Sequence, residues 1–216
     1  MTASPRIPTY ANVPGNNYDK YGSRNPLAVK LMRGFFDSFD RMIKDVGART
    51  AYEAGCGEGH LSLHMLRAGL QVRCSDLEPS MVALAEQRIR AAGFSARVDR
   101  RDLYTLEPEE TDADVLVCCE VLEHLPEPDL AVDQLARLAR ERLVASVPRE
   151  PIWRLLNMCR GRYLADLGNT PGHLQHWSTQ RFLALLDRRF VIEDVATPLP
   201  WTMVRCKVRM PRIAAI

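Results

Sequence analysis

The string Glu120-Val-Leu-Glu123-His124 sets two carboxylates and an imidazole at positions i, i+3 and i+4. If that segment is helical, the three side chains share one face. Such a crowd is costly unless it meets a cation or water. Together the oxygen and nitrogen donors make a three-ligand set for a divalent metal. A polar turn that holds no metal accounts for the same residues. Further along, Gly172-His173-Leu-Gln-His176-Trp177-Ser178 adds two imidazoles. The titration range of histidine suits His176 to act as general base on a hydroxyl, and a loop histidine hydrogen-bonded to backbone is the other reading.

A second constellation lies upstream. Gly55-x-Gly57-x-Gly59 falls between a strand pattern and a helix pattern. Glycine there lets the backbone turn tightly and approach a ligand closely. Asp76 ends the next strand roughly 20 residues after Gly55, where a carboxylate can hold ribose hydroxyls. A dinucleotide fingerprint, G-x-G-x-x-G, would need glycine where His60 stands, and its phosphates would lie beside Glu53 and Glu58. An adenosyl ligand without phosphate, carrying a cationic sulfonium and an amine, suits an acidic loop better. A tight strand-to-helix turn that binds nothing is the third reading.

The elements that must position these residues are legible in the hydrophobic spacing. Asn25-Pro26 opens a helix on which Leu27, Leu31, Phe35, Phe39 and Ile43 recur, ended by Gly47. Strands are predicted over 50–53, 70–75, 96–99, 114–118 and 143–147, with helices over 60–68, 79–92 and 129–140 between them. Met81, Leu84, Ala85 and Ile89 mark the second of these helices, and Leu130, Leu135 and Leu138 face inward on the third. Residues 149–177 read as a long irregular insert. A helix over 179–188 and strands over 190–195 and 202–208 finish the chain. The alternation predicts an α/β fold: a Rossmann-like, seven-stranded, mostly parallel sheet with helices on both faces and an antiparallel strand at its edge. One domain is expected over 1–216, with 1–46 an N-terminal arm and helix acting as cover.

Composition narrows the partners. Of 216 residues, 46% are hydrophobic and 26% charged, which is globular composition. A net charge of +2 gives no nucleic-acid footprint. No apolar run reaches membrane-spanning length, and the N-terminus lacks the apolar region of a signal peptide. Cysteines at 56, 74, 118, 119, 159 and 206 form no C-x-x-C pair. The expectation is a cytoplasmic protein with free thiols and no disulfide framework.

Glu53-Ala-Gly55-Cys-Gly57-Glu-Gly59, Asp76-Leu77-Glu78-Pro79, Asp102-Leu103 and the stretch from Asp114 to Leu125 together resemble the class I S-adenosylmethionine-dependent methyltransferases, over about 50–148. The resemblance implies that Glu53, Gly55, Gly57 and Gly59 form the loop under the cofactor. It places Asp76 on the ribose and Leu77 against the adenine. Asp102 would take the adenine amino group with Leu103 beside it, and the backbone at Cys119 would lie near the methionine moiety. Tyr18-Asp-Lys-Tyr21 looks like the N-terminal cover of such enzymes, which puts Tyr18 and Tyr21 at the cofactor.

The E-x-x-E-H string followed by a histidine four residues before tryptophan is similar to the small-RNA 2′-O-methyltransferases, in which two Glu and two His hold a metal. Its E-x-x-E-H part is also similar to the ubiquinone-pathway O-methyltransferases. The implied ligands are Glu120, Glu123, His124 and His173, with Mg²⁺ first and Mn²⁺ or Zn²⁺ behind it. Many class I enzymes carry a similar string with no metal, so the metal-free alternative stands beside this one. The RNA enzymes have Glu just before the tryptophan where this chain has His176, and the chain lacks their extra domains and a basic patch. The metal chemistry is therefore expected here without the RNA substrate.

A cation would lower a hydroxyl pKa and fix the oxygen near the methyl, with Glu120, His173 and His176 as the reacting side chains. Two adjacent hydroxyls chelate best, so a vicinal diol is the favoured acceptor: a sugar, a polyol or a catechol. A saccharide ranks first because no long apolar lining for a quinone tail is legible. The 149–177 insert would shape the acceptor site. Trp153 and Trp177 there either stack on a sugar ring or pack a lid, and Arg160 and Arg162 either meet an anionic group or are ordinary exposed arginines. The expected activity is metal-assisted O-methylation of a small hydroxylated molecule, with no nucleic-acid partner, no membrane span and a homodimer allowed. A metal-free N- or C-methyltransferase and a non-catalytic adenosyl-binding protein are the alternatives.

Overall fold

In a computed structural model, which describes residues 25–209, strand and helix alternate as the hydrophobic spacing requires. Helix α1 (Pro26–Lys44) opens with proline in its first turn, and the side chain of Asn25 accepts from the Leu27 N–H at 2.9 Å. Its apolar stripe buries Met32, Phe35, Phe39, Met42 and Ile43. There follow β1 (Thr50–Ala54), α2 (His60–Arg67), β2 (Gln71–Asp76), α3 (Pro79–Ala91), β3 (Arg97–Arg100), the single turn α4 (Pro108–Thr111), β4 (Val115–Cys119), α5 (Pro128–Leu138) and β5 (Arg142–Pro148). The chain continues with α6 (Ile152–Cys159), α7 (Thr179–Asp187), β6 (Phe190–Ala196) and β7 (Trp201–Val208).

The strands form one seven-stranded sheet in the order β3-β2-β1-β4-β5-β7-β6. β1 to β5 pair in parallel, and β7 runs antiparallel to both β5 and the outermost strand β6. Parallel neighbours need crossovers, and α2, α3 and α5 supply them. Apolar side chains cover both faces. One cluster joins Phe35, Phe39, Met65 and Ile89 of α1, α2 and α3 to the sheet, and the other joins Leu135, Phe182 and Leu186 of α5 and α7.

Two local expectations change. Leu130, read as inward, is exposed, and the buried positions on its helix include Val132, Leu135 and Leu138. The 149–177 insert is not irregular throughout, because it contains α6 and a short 3₁₀ turn at Leu164–Asp166. The spacing of α6 concealed it: Asn157 is its one fully buried residue, and Trp153 and Leu156 line a cavity.

Candidate functional site

The order of strands reverses between β1 and β4, and the crevice outside their carboxyl ends is where open α/β sheets bind ligands. A cavity of about 570 Å³ opens there, a size that suits a cofactor and a small acceptor. Its floor is the loop after β1. The N–H groups of Gly55 and Cys56 donate to the Ser75 carbonyl at 2.8 and 2.9 Å, which turns the loop over the end of β2.

Gly57 and Gly59 use their conformational freedom differently. Both have φ in the left-handed region, at +52° and +75°. A Cβ on Gly59 would lie 2.9 Å from the Ala85 Cβ and 3.0 Å from its Cα, so the start of α2 packs directly on α3 there. A Cβ on Gly57 would meet nothing within 4 Å, and Gly57 lines the cavity. Gly59→Ala is therefore expected to destabilise the fold by about 2–3 kcal/mol, from backbone strain plus overpacking. Gly57→Ala is expected to cost only about 1 kcal/mol in urea denaturation but to weaken binding of an adenosyl ligand seated on the loop. Equal stability losses in the two variants would contradict this division of roles.

Asp76 sits opposite the loop. Its Oδ2 accepts from the Gly57 N–H at 2.8 Å and its Oδ1 from the Glu78 N–H at 3.0 Å. Each oxygen keeps a further lone pair, so the carboxylate is fixed in place and still able to accept from hydroxyls. Burial raises its pKa, against the lowering effect of those two N–H groups. Leu77, Asp102, Leu103 and Cys119 also line the cavity, and Asp102 Oδ1 caps the next turn by accepting from the Tyr104 N–H at 3.0 Å.

The loop carboxylates need correction as an argument against phosphate. Glu53 is 3% exposed, accepts from the Ser62 hydroxyl, and burial drives its carboxyl well above the usual range. Glu58 is ion-paired with Arg88 at 3.1 Å and lies 3.3 Å from His60. Neither presents a bare negative charge to the cavity, and His60 in place of the fingerprint's last glycine remains the stronger of the two reasons. Tyr18 and Tyr21 lie outside the described residues.

Beyond the cofactor half, β4 ends at Cys119 and Glu120 takes a left-handed φ of +59°. The segment then forms only a 3₁₀ turn, Leu122–His124, so the helical face that would have grouped all three side chains does not exist. Glu120 lines the same cavity, and its carboxylate accepts from the Ser146 hydroxyl at 3.0 Å and from the Trp201 indole N–H at 2.7 Å. Glu123 and His124 are instead joined by His173, and one donor atom from each lies within 4.8 Å of the others. Nδ1 of His124 lies 2.9 Å from the Gly172 carbonyl, and with Nδ1 as donor that bond fixes the orientation of the ring. The Leu174 and Gln175 N–H groups donate to the Glu123 carbonyl at 2.8 and 3.1 Å, which ties the histidine loop to the carboxylate's own backbone. One carboxylate and two imidazoles at this spacing fit a divalent cation.

His176 does not line this cavity. Its Nε2 is 2.7 Å from Asn169 Oδ1. A general-base role for it therefore has no geometric support. Trp177 packs on Phe182 at a centroid distance of 5.9 Å, also away from the cavity. Trp153 does line it, as do Arg160 and Arg162, and so does Trp201, which sequence reasoning missed. Trp201 follows Pro200 at the first residue of β7, where no spacing signal marks it. Among the described residues no helix is long and apolar enough to cross a membrane.

A protein-family profile described as a methyltransferase domain matches residues 51–142. The ubiquinone biosynthesis O-methyltransferase of Xanthomonas oryzae pv. oryzae is 32% identical over 157 residues, covering 69% of this chain and 64% of that protein. The chain thus spans less than two thirds of that relative's length. Among solved structures, magnesium protoporphyrin IX methyltransferase from Synechocystis PCC 6803 with bound S-adenosylmethionine superposes with a TM-score of 0.64 at 20% identity, covering 87% of this chain and 86% of that one. The methyltransferase domain of bacterial CtHen1 superposes with a TM-score of 0.63 at 18% identity, covering 82% of this chain and 100% of that one.

Proposed function

Residues 51–142 form a methyltransferase domain with the class I fold, and from that premise we propose that the protein transfers a methyl group from S-adenosylmethionine to a hydroxyl of a small molecule with the help of a divalent cation. The observation that carries the cation reading is the meeting of Glu123, His124 and His173 within 4.8 Å, in the same cavity as Asp76 and the glycine loop. When bound, the donor supplies a sulfonium methyl open to in-line displacement, and the cation supplies Lewis acidity toward an alcohol. The protein's part is position. Asp76 accepts from the ribose hydroxyls, Leu77 and Leu103 flank the adenine, and Asp102 takes its amino group. Glu123, His124 and His173 hold the cation. Glu120, held by Ser146 and Trp201, accepts a hydrogen bond from the acceptor instead of joining that cluster.

The acceptor is a vicinal diol on a flat, largely apolar skeleton. Leu31, Phe35, Trp153, Leu156 and Trp201 line the cavity, so the stated reason for ranking a saccharide first, a lack of apolar lining, does not hold. A saccharide diol is the second reading, favoured by two tryptophan rings that could stack on a pyranose.

The test is a crystal soaked with S-adenosylhomocysteine and Mn²⁺, with anomalous data. A manganese peak among Glu123, His124 and His173 beside the bound nucleoside supports the reading. Nucleoside without manganese removes the cation and leaves the methyl donor. Neither ligand in the cavity overturns both.

A further inference from the structure

We propose that Asn157 is a positioning residue for the cation site, holding His173 in place through Thr170 and Gly168. The inference rests on reading Glu123, His124 and His173 as cation ligands. His173 comes from a loop without regular structure, and a ligand on such a loop needs restraint because a cation site tolerates only small displacements. The restraint on its far side is the pairing of Leu174 and Gln175 with Glu123. The restraint on its near side runs to α6.

Asn157 is 2% exposed, the one fully buried residue of α6, and it is polar. Burying an amide is unfavourable unless its hydrogen bonds are met. Here its Nδ2 donates to the Gly168 carbonyl at 2.9 Å and to the Thr170 hydroxyl oxygen at 3.1 Å, and its Oδ1 accepts from Arg160. The Thr170 hydroxyl also accepts from the Trp153 indole N–H at 2.9 Å, and the Thr170 carbonyl accepts from the His173 N–H at 3.1 Å. The Trp153 ring then lies along the His173 imidazole, with centroids 5.8 Å apart and planes 27° from parallel. One buried amide thus joins the helix to the residue that fixes both the backbone and the ring plane of His173.

Gly168 shows how closely the loop is held. Its φ is +78°, and a Cβ there would stand 2.2 Å from the Arg154 carbonyl oxygen, so the chain passes directly against α6. The Leu167 carbonyl also accepts from Arg154 Nε at 3.0 Å. These contacts fix the loop's path, and the Asn157–Thr170–Trp153 bonds fix what it presents.

The test measures Mn²⁺ affinity by electron paramagnetic resonance on the full chain without donor or acceptor, beside S-adenosylhomocysteine affinity and a thermal melt for each variant. Asn157→Ala and Thr170→Val should weaken Mn²⁺ binding by roughly ten- to a hundredfold, the usual effect of losing a group that orients a ligand. Thr170→Ser, which keeps the hydroxyl, should restore it. Trp153→Phe keeps an aromatic ring beside His173 and removes the indole N–H with the pyrrole half of the side chain, so it should fall between them even if the other variants fold poorly. Nucleoside affinity should not change in any of the four. Wild-type Mn²⁺ affinity in folded Asn157→Ala and Thr170→Val overturns the inference and leaves the cation site standing, and so does an equal loss of nucleoside affinity. A wild-type protein that binds no Mn²⁺ overturns the cation site and this inference with it.

Discussion

Replacing Asp76 with alanine is expected to weaken S-adenosylhomocysteine binding by roughly 100- to 10,000-fold. A hydrogen bond to a charged group contributes about 1.5–3 kcal/mol, two ribose hydroxyls are available, and each factor of ten in affinity is about 1.4 kcal/mol. Geometry makes the loss this large. The N–H groups of Gly57 and Glu78 hold the two carboxylate oxygens in place before any ligand arrives, so little ordering remains to be done on binding. Asp76→Asn keeps the shape and removes the charge, and it should fall between wild type and alanine. The sign with pH follows from burial, which raises the Asp76 pKa. The ionised form is the better acceptor, so affinity should be full above that raised value and fall as pH drops through it. Calorimetry of the three proteins across the acid range measures all of this, with a thermal melt to show that alanine has not unfolded the end of β2. Unchanged affinity in Asp76→Ala contradicts the ribose assignment.

Much of this half of the site could be read from the chain alone, for a physical reason. β4 is a short apolar run, β1 and β2 run directly into a glycine and a carboxylate, and a parallel sheet leaves one place for the residues at their carboxyl ends. Gly57 and Asp76 therefore face each other as a consequence of topology. The acceptor half has no such rule. Whether Glu120 shares a face with Glu123 depends on one left-handed residue, which a non-glycine side chain does not announce. His173 and His176 are three apart in a loop without periodicity, and their inward and outward settings go with local hydrogen bonds, His173 N–H to the Thr170 carbonyl and His176 with Asn169. α6 was invisible because its apolar side chains serve a cavity. Trp201 was invisible because its contact with Glu120 spans the sheet from β7 to the end of β4.

That same loop decides the second large effect. Glu123→Gln should lower Mn²⁺ affinity by at least about 100-fold, since it removes the one carboxylate of the three-member cluster where a charge-assisted bond is worth most. The side chain is 1% exposed, so water is poorly placed to substitute. Glutamine preserves size, and the Glu123 backbone carbonyl, which accepts from Leu174 and Gln175, is untouched. The loop should stay docked, and the loss should read as chemistry and not as unfolding. His173→Ala should match it, and the double variant should be scarcely worse than either, because ligands of one ion act as a unit. Two further readouts separate a working cation from an incidental one. Added Mn²⁺ should raise the wild-type melting temperature and leave that of Glu123→Gln unmoved, as linkage requires of a ligand that binds only the folded state. Chelator should bring wild-type methyl transfer down to the rate of Glu123→Gln and have no effect on the variant. A Glu123→Gln protein with wild-type metal content and turnover would return the acceptor chemistry to a metal-free mechanism. Lost metal with an undiminished rate would make the cation a brace for the His173 loop and nothing more.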